Sequence, residues 1–169
     1  RYKKIMGWKA LKTKKRNFLK NKKIKEIKSQ LGVYDYIIPK KSQVEYIKVE
    51  DMPDIYLIDG KPLLMEAEGH IIPTLKAMNE IETIEKKVVV DMGAINFVIK
   101  GADIMSPGIV DADSDIVEDE IVVIVDETHN KPLAIGMSLI TGPEMVENSK
   151  GKAIKNLHFV GDAIWNLEI

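Results

Sequence analysis

Apolar residues in this chain come in short runs, and their spacing changes character along its length. Between Asn21 and Gly32, the apolar residues Ile24, Ile27 and Leu31 recur at helical intervals among lysines. That pattern predicts a helix over 22–30, capped by Asn21 and stopped by Gly32. Upstream, residues 1–16 read as a basic arm or short edge strand whose apolar points are Trp8 and Leu11, and 16–19 as a segment able to pair. From Tyr34 the runs shorten to strand length, over 34–38, 44–49, 54–58 and 62–67. The last two flank Asp59-Gly60, a strong hairpin signal. A short helix is predicted over 73–78, followed by a charged stretch over 80–87 with little apolar periodicity.

A second series begins at Val88-Val89-Val90, which reads as a buried strand. A helix carrying Ile95, Val98 and Ile99 should then end at Gly101, before a short strand over 102–105 and a tight turn at Ser106-Pro107-Gly108. Residues 116–126 predict one long strand, 129–132 its turn and 133–140 the antiparallel return. A helix of one or two turns around 144–146 precedes a last hairpin, 152–160 with 163–167, across Gly161-Asp162. Trp165 is expected to plug the core and His158 to be a satisfied structural histidine. Many short strands with small helices between them predict a compact barrel for the second half, and a small helix-and-strand domain for the first. The fold class is α+β, with domains at 1–86 and 87–169.

Charge sharpens this division. The net charge is −1, but residues 1–48 carry about +13, 49–86 about −6 and 87–169 about −8. A block as basic as the first is the electrostatic footprint of a polyanion-binding surface. Its densest part is Lys14, Lys15, Arg16, Lys20, Lys22, Lys23 and Lys25. Lys22 and Lys23 fall in the first helical turn, where the helix dipole is already positive, so an anionic partner would relieve them. The chain has no cysteine, hence no disulfide and no thiolate metal site. No apolar run approaches the roughly 18 residues of a membrane span, so the expectation is a soluble, cytoplasmic chain with no membrane partner. The basic residues at the start lack a following apolar segment, so no secretory signal is expected, and Arg1 in place of Met suggests a trimmed chain.

Catalytic and metal chemistry find no support. Asp111-x-Asp113-x-Asp115 starts like a calcium loop, but Ile116 stands where the sharp-turn glycine is needed and Val122 where the bidentate glutamate is needed. His70 and His129 have no partner at ligand spacing, and neither a nucleophile elbow nor a phosphate-binding Gly-Lys-Ser/Thr loop occurs. The expectation is a protein without cofactor, metal or enzymatic activity.

The second half carries a set of motifs in order: Asp91-Met92-Gly93-Ala94, Gly101-Ala102, Met105-Ser106-Pro107-Gly108-Ile109, Ala134-Ile135-Gly136, Lys150-Gly151-Lys152-Ala153 and Gly161-Asp162-Ala163-Ile164-Trp165. Together they resemble the PUA domain. In the first half, Leu19-Lys20, Ile38-Pro39-Lys40-Lys41, Asp59-Gly60-Lys61-Pro62-Leu63 and Pro73-Thr74-Leu75 resemble the pre-PUA domain of the malignant T-cell-amplified sequence family, archaeal-type members included. The resemblance implies a pseudobarrel fused to a small α/β domain. It further implies RNA binding, to ribosomal RNA or the 3′ end of tRNA, and association with the small ribosomal subunit in initiation, reinitiation or recycling. Eukaryotic relatives work beside density-regulated protein or share one chain with its equivalent in ligatin. An initiation-factor-like partner, held through the acidic PUA face, is therefore the alternative, and an accessory role in RNA modification a second one.

On this reading the segment from Gly93 to Pro107 borders an RNA groove, where a missing Cβ lets backbones approach. The candidate binding residues are Gly93, Ala94, Lys100, Gly101, Ala102, Met105, Pro107, Gly108 and Lys152. Gly93 precedes a helix start whose N–H groups would suit a phosphate. Lys100 would add a charge-assisted hydrogen bond, and Met105 an apolar surface for a base or ribose. Gly101 and Gly108 also have a plainer reading as a helix stop and a turn. An acidic second half attracts RNA poorly by itself, so the basic first domain is expected to supply most of the attraction.

Overall fold

The computed structural model describes residues 13–167. The expectation for Trp8 and Leu11 therefore lies outside the described residues. The chain divides into two compact units, one running up to Ala77 and resuming at Ala163, the other spanning Met78–Asp162.

In the first unit, β1 (Thr13–Phe18), β2 (Val44–Val49), β3 (Ile55–Ile58), β4 (Lys61–Ala67) and β5 (His70–Pro73) form an antiparallel sheet in chain order. Tight turns produce that order: Asp59-Gly60 joins β3 to β4, and Glu68-Gly69 joins β4 to β5. The second hairpin was not foreseen, because four residues ending in proline give little strand signal. Helix α1 (Asn21–Leu31) packs on β5 and buries Ile27 and Leu31. Its cap is Lys20 rather than the expected Asn21, and the Lys20 side chain makes no capping hydrogen bond. Of the strand expected over 34–38, residues 34–37 belong instead to a 3₁₀ helix, Gly32–Ile37, and Ile38 caps it. Tyr34 and Ile37 lie three apart, stack on one side of that helix and are both buried. A single turn, α2 (Leu75–Met78), follows Thr74, whose hydroxyl donates to the Pro62 carbonyl at 2.8 Å and accepts from the Ala77 N–H.

The second unit is a six-stranded mixed sheet of β6 (Lys87–Val90), β7 (Ile104–Met105), β8 (Ile109–Ala112), β9 (Ile121–Asp126), β10 (Pro132–Ser138) and β11 (Lys152–Phe159), in the order β7-β11-β10-β9-β6-β8. β6 runs parallel to β9, and the remaining pairs are antiparallel. Register shifts in all four antiparallel pairings bend the sheet around its core. Every residue of β9 is buried, as the unbroken run Ile121–Val125 requires of a strand covered on both faces. Val98 of α3 (Ile95–Val98) and Met145 of α4 (Gly142–Glu147) enter the same core as Val88, Ile124 and Ile154. Each such side chain contributes roughly 1.5–3 kcal/mol by leaving water. A capping box, Thr141 with Glu144, starts α4.

Three expectations need correction here. Only the second half of 116–126 is strand, because residues 113–120 fold into turns over the buried Ile116. The buried Lys86 ammonium holds those turns, reaching Asp115 at 3.3 Å and Glu120 at 3.2 Å. β8, unforeseen, takes the free edge of β6. Residues 163–167 are turns rather than a strand, and Trp165 is 50% exposed instead of plugging a core. The Asp162 carboxylate explains the missing hairpin: it accepts from the Phe159 N–H at 3.0 Å and bonds His158 Nδ1 at 2.7 Å, closing a tight turn directly after β11. His158 is the buried, satisfied structural histidine that was expected. Among the described residues no helix is long and apolar enough to cross a membrane, and no cluster of metal ligands forms.

Candidate nucleic-acid interface

A half-open cleft of about 480 Å³ lies in the second unit, between the turn that leads into α3 and the segment from β7 to Gly108. Sequence order makes it. Asp91 ends β6 and folds the chain over, its Oδ1 accepting the Ala94 N–H at 2.8 Å and its own N–H donating to the Gly108 carbonyl at 2.9 Å. Gly108 permits this approach, since a Cβ there would stand 3.1 Å from that of Ala94. α3 then presents Phe97 outward, 67% exposed, while Val98 turns into the core. Gly101 ends the helix at φ 88°, pressed on the Phe159 ring so closely that a Cβ would lie 2.9 Å from it. The chain returns through Asp103, Ile104 and Met105, the last 45% exposed.

Of the residues expected to bind, Gly93, Ala94, Met105, Pro107 and Gly108 line this cleft. Lys100 is exposed beyond α3 and does not line it. Gly101 and Ala102 sit behind it as scaffold; the Asn156 amide donates to the Ala102 carbonyl at 3.0 Å and to that of Val98 at 3.1 Å, fixing the end of α3 to β11. Lys152, opposite Met105 in the sheet, ion-pairs with Asp103 at 3.3 Å. Burial would raise the Asp103 pKa, but the Asn156 N–H and the Lys152 ammonium outweigh it and hold the carboxyl below its ordinary range. Asp103 is therefore ionised at neutral pH, its charge offset by Lys152.

The helix start expected to suit a phosphate at Gly93 offers fewer free donors than a full helix would. α3 is one turn long, and the amides of Met92 and Ala94 already donate to the carboxylates of Glu127 and Asp91. Asp91, Phe97 and Asp103 line the cleft without having been singled out. Apolar spacing in a four-residue helix does not tell which side faces solvent.

In the first unit, Lys14, Lys15 and Arg16 stand on β1, an edge strand exposed along its whole length, and Lys20, Lys22, Lys23 and Lys25 surround the uncapped start of α1. Arg16 is already engaged, its guanidinium forking onto Glu45, and Lys15 lies over the Tyr46 ring at 5.8 Å. Lys23 reaches Glu26 at 3.5 Å, with both side chains half exposed, a pairing of little strength. Lys14, Lys20, Lys22 and Lys25 have no acidic partner among the described residues.

This architecture matches known proteins in both halves. Residues 86–160 match the PUA domain and residues 15–81 a domain of unknown function (DUF1947). An uncharacterized protein of Methanocaldococcus jannaschii is 50% identical over 92% of this chain and 98% of its own length. Translation machinery-associated protein 20 of Schizosaccharomyces pombe is 36% identical over 95% of this chain and 92% of its own. Malignant T-cell-amplified sequence 1 of Rattus norvegicus is 31% identical over 89% of each. The chain belongs to this family of PUA-domain proteins. Among solved structures, a hypothetical protein of Pyrococcus horikoshii shares the fold with a TM-score of 0.79 at 35% identity, over 89% of this chain and 98% of that one. Family membership gives the cleft its context, because it lies wholly within the residues that match the PUA domain.

Proposed function

We propose that this chain is a translation-associated RNA-binding protein, which takes part of an RNA strand into the PUA cleft and draws phosphates to the lysines of its first unit. The observation that carries this reading is the cleft itself. Glycine and alanine backbone leaves room in it, and exposed Phe97 and Met105 offer the flat, apolar surfaces on which an unpaired base stacks. The relative named a translation machinery-associated protein supports the translational setting. Ribosomal RNA of the small subunit and the 3′ end of tRNA are the RNAs we assign to it.

The test is binding of tRNA and of isolated small subunits as a function of salt. Affinity should fall linearly on a log-log plot. Changing Lys14, Lys15, Lys22 and Lys23 to glutamine should flatten the slope by about 0.7–0.9 for each phosphate no longer neutralised. Absence of any association at low salt would refute the proposal. A second reading, a protein partner on the acidic face, draws on exposed Val110, Val117 and Val146 set among Asp111, Glu118 and Glu147. Association with an initiation-factor-like protein that survives nuclease and high salt would favour it.

A further inference from the structure

We infer that Met105 is a modification site, the methionine that a peroxide oxidises first, and that its reversible conversion to the sulfoxide weakens RNA binding. This is a regulation of the proposed function and rests on it. The chain places its methionines unequally. Met65, Met78 and Met145 are buried, and Met52 and Met137 are half-buried. Met92 and Met105 are the exposed ones among the described residues, at 48% and 45%. Met105 lines the cleft, and Met92 stands in sequence between Asp91 and Gly93, which line it too. An oxidant in the solvent therefore reaches the thioethers at the cleft before those that hold the fold, since oxidation follows access.

The two exposed sulfurs are not equivalent. The Thr128 hydroxyl donates to Met92 Sδ at 3.0 Å and so engages a lone pair that must otherwise attack the oxidant. Met105 Sδ receives no such donor among the described residues. With hydrogen peroxide, the Met105 sulfur attacks one oxygen, the O–O bond breaks as the S–O bond forms, and the second oxygen leaves as water with both protons. Sulfur loses two electrons and the peroxide gains them. A flexible apolar side chain becomes a polar one that ends in a strong acceptor. The other side chains lining the cleft are apolar or carboxylate, so none of them donates to the new oxygen. A base stacked over Met105 strips water from that oxygen and returns no hydrogen bond, because the face of a ring carries no donor. The surface that suits a base in the reduced chain thus repels it in the oxidised one.

The experiment treats the full chain with hydrogen peroxide and follows each methionine by peptide mass spectrometry. Met105 should oxidise first and Met92 after it, with Met65, Met78 and Met145 unchanged and the circular dichroism spectrum intact. Fluorescence anisotropy of a labelled single-stranded RNA at low salt should then show binding at least about fivefold weaker. Methionine sulfoxide reductases for both epimers, with a thiol reductant, should restore it. Met105→Leu has no sulfur to oxidise, so peroxide should change its affinity by less than about twofold, whatever its starting value. Should that variant not fold, repair by the reductases decides. Unchanged affinity with Met105 fully oxidised, an equal loss in treated Met105→Leu, Met92 oxidising ahead of Met105, or the buried methionines oxidising in step with it would overturn the inference while leaving RNA binding standing. Failure of the untreated chain to bind RNA at low salt would instead bring down the proposed function.

Discussion

Replacing Phe97 with alanine separates binding from folding more cleanly than any other change in the cleft. The ring is 67% exposed, so its removal empties no core space. The Phe97 carbonyl, which accepts from Lys100 and Ala102 at 3.2 and 3.1 Å, is backbone and stays in place. Alanine is also the better helix former. Stability should therefore change by no more than about 0.5 kcal/mol. Stacking of a base on an aromatic side chain is worth about 1–3 kcal/mol. With the ring this open, the lower part of that range applies. A loss of about 1–2 kcal/mol corresponds to roughly 5- to 30-fold weaker binding. Anisotropy titration of single-stranded RNA measures the loss, and urea unfolding of the same variant measures the stability. The salt slope should not move, because every phosphate keeps its lysine, and Phe97→Tyr should restore affinity. A loss below twofold in a variant of unchanged stability would refute stacking on Phe97, and a stability loss above about 1.5 kcal/mol would show the ring to be structural.

Two further predictions concern the scaffold. Gly101→Ala should cost about 2–4 kcal/mol in urea unfolding, combining roughly 1 kcal/mol for a left-handed backbone with about 1–3 for crowding Phe159. Gly60→Ala, at nearly the same φ of 87° but with nothing within 4 Å, should cost only the first part. Burial pushes the Asp126 carboxyl up, but the N–H groups of His129, Lys131 and Thr128 outweigh it and leave its pKa lowered. A folded-state pKa below the unfolded one gives stability that is present above about pH 4 and lost as pH falls through the folded value. Asp126→Asn should flatten the decline of unfolding free energy below about pH 4, measured by denaturant titration across acid pH.

The parts of the fold that sequence made legible are those where local chemistry decides. Val88–Val90 and the 121–125 run are apolar enough to require burial whatever their neighbours, Asp59-Gly60 dictates its own turn, and Gly101 stops a helix. What stayed hidden depends on distant partners. β8 is a strand because β6 offers it an edge, and 113–120 is not one because Lys86, far back in the chain, holds Asp115 and Glu120. Tyr34–Ile37 has the composition of a strand but the spacing of a 3₁₀ turn. In the candidate site, the glycine-bearing segment around Gly93 and Gly108 could be named from its resemblance to a family. The acid lining could not, since Asp91 and Asp103 converge only once α3 has folded back between them. Arg16 looked like one more free cation, because nothing local points to Glu45, 29 residues away.

The staple from Asn156 to α3 bears on how the protein is made. Synthesis proceeds from the N-terminus, so α3 is translated long before the strand that fixes it, and among the described residues β7 has only β11 to pair with. A nascent chain halted before residue 152 lacks both the staple and the partner of Met105. The lysines of β1 and α1 thus leave the ribosome while the end of α3 is still unfixed, so the growing polypeptide shows its basic segment before its cleft is assembled.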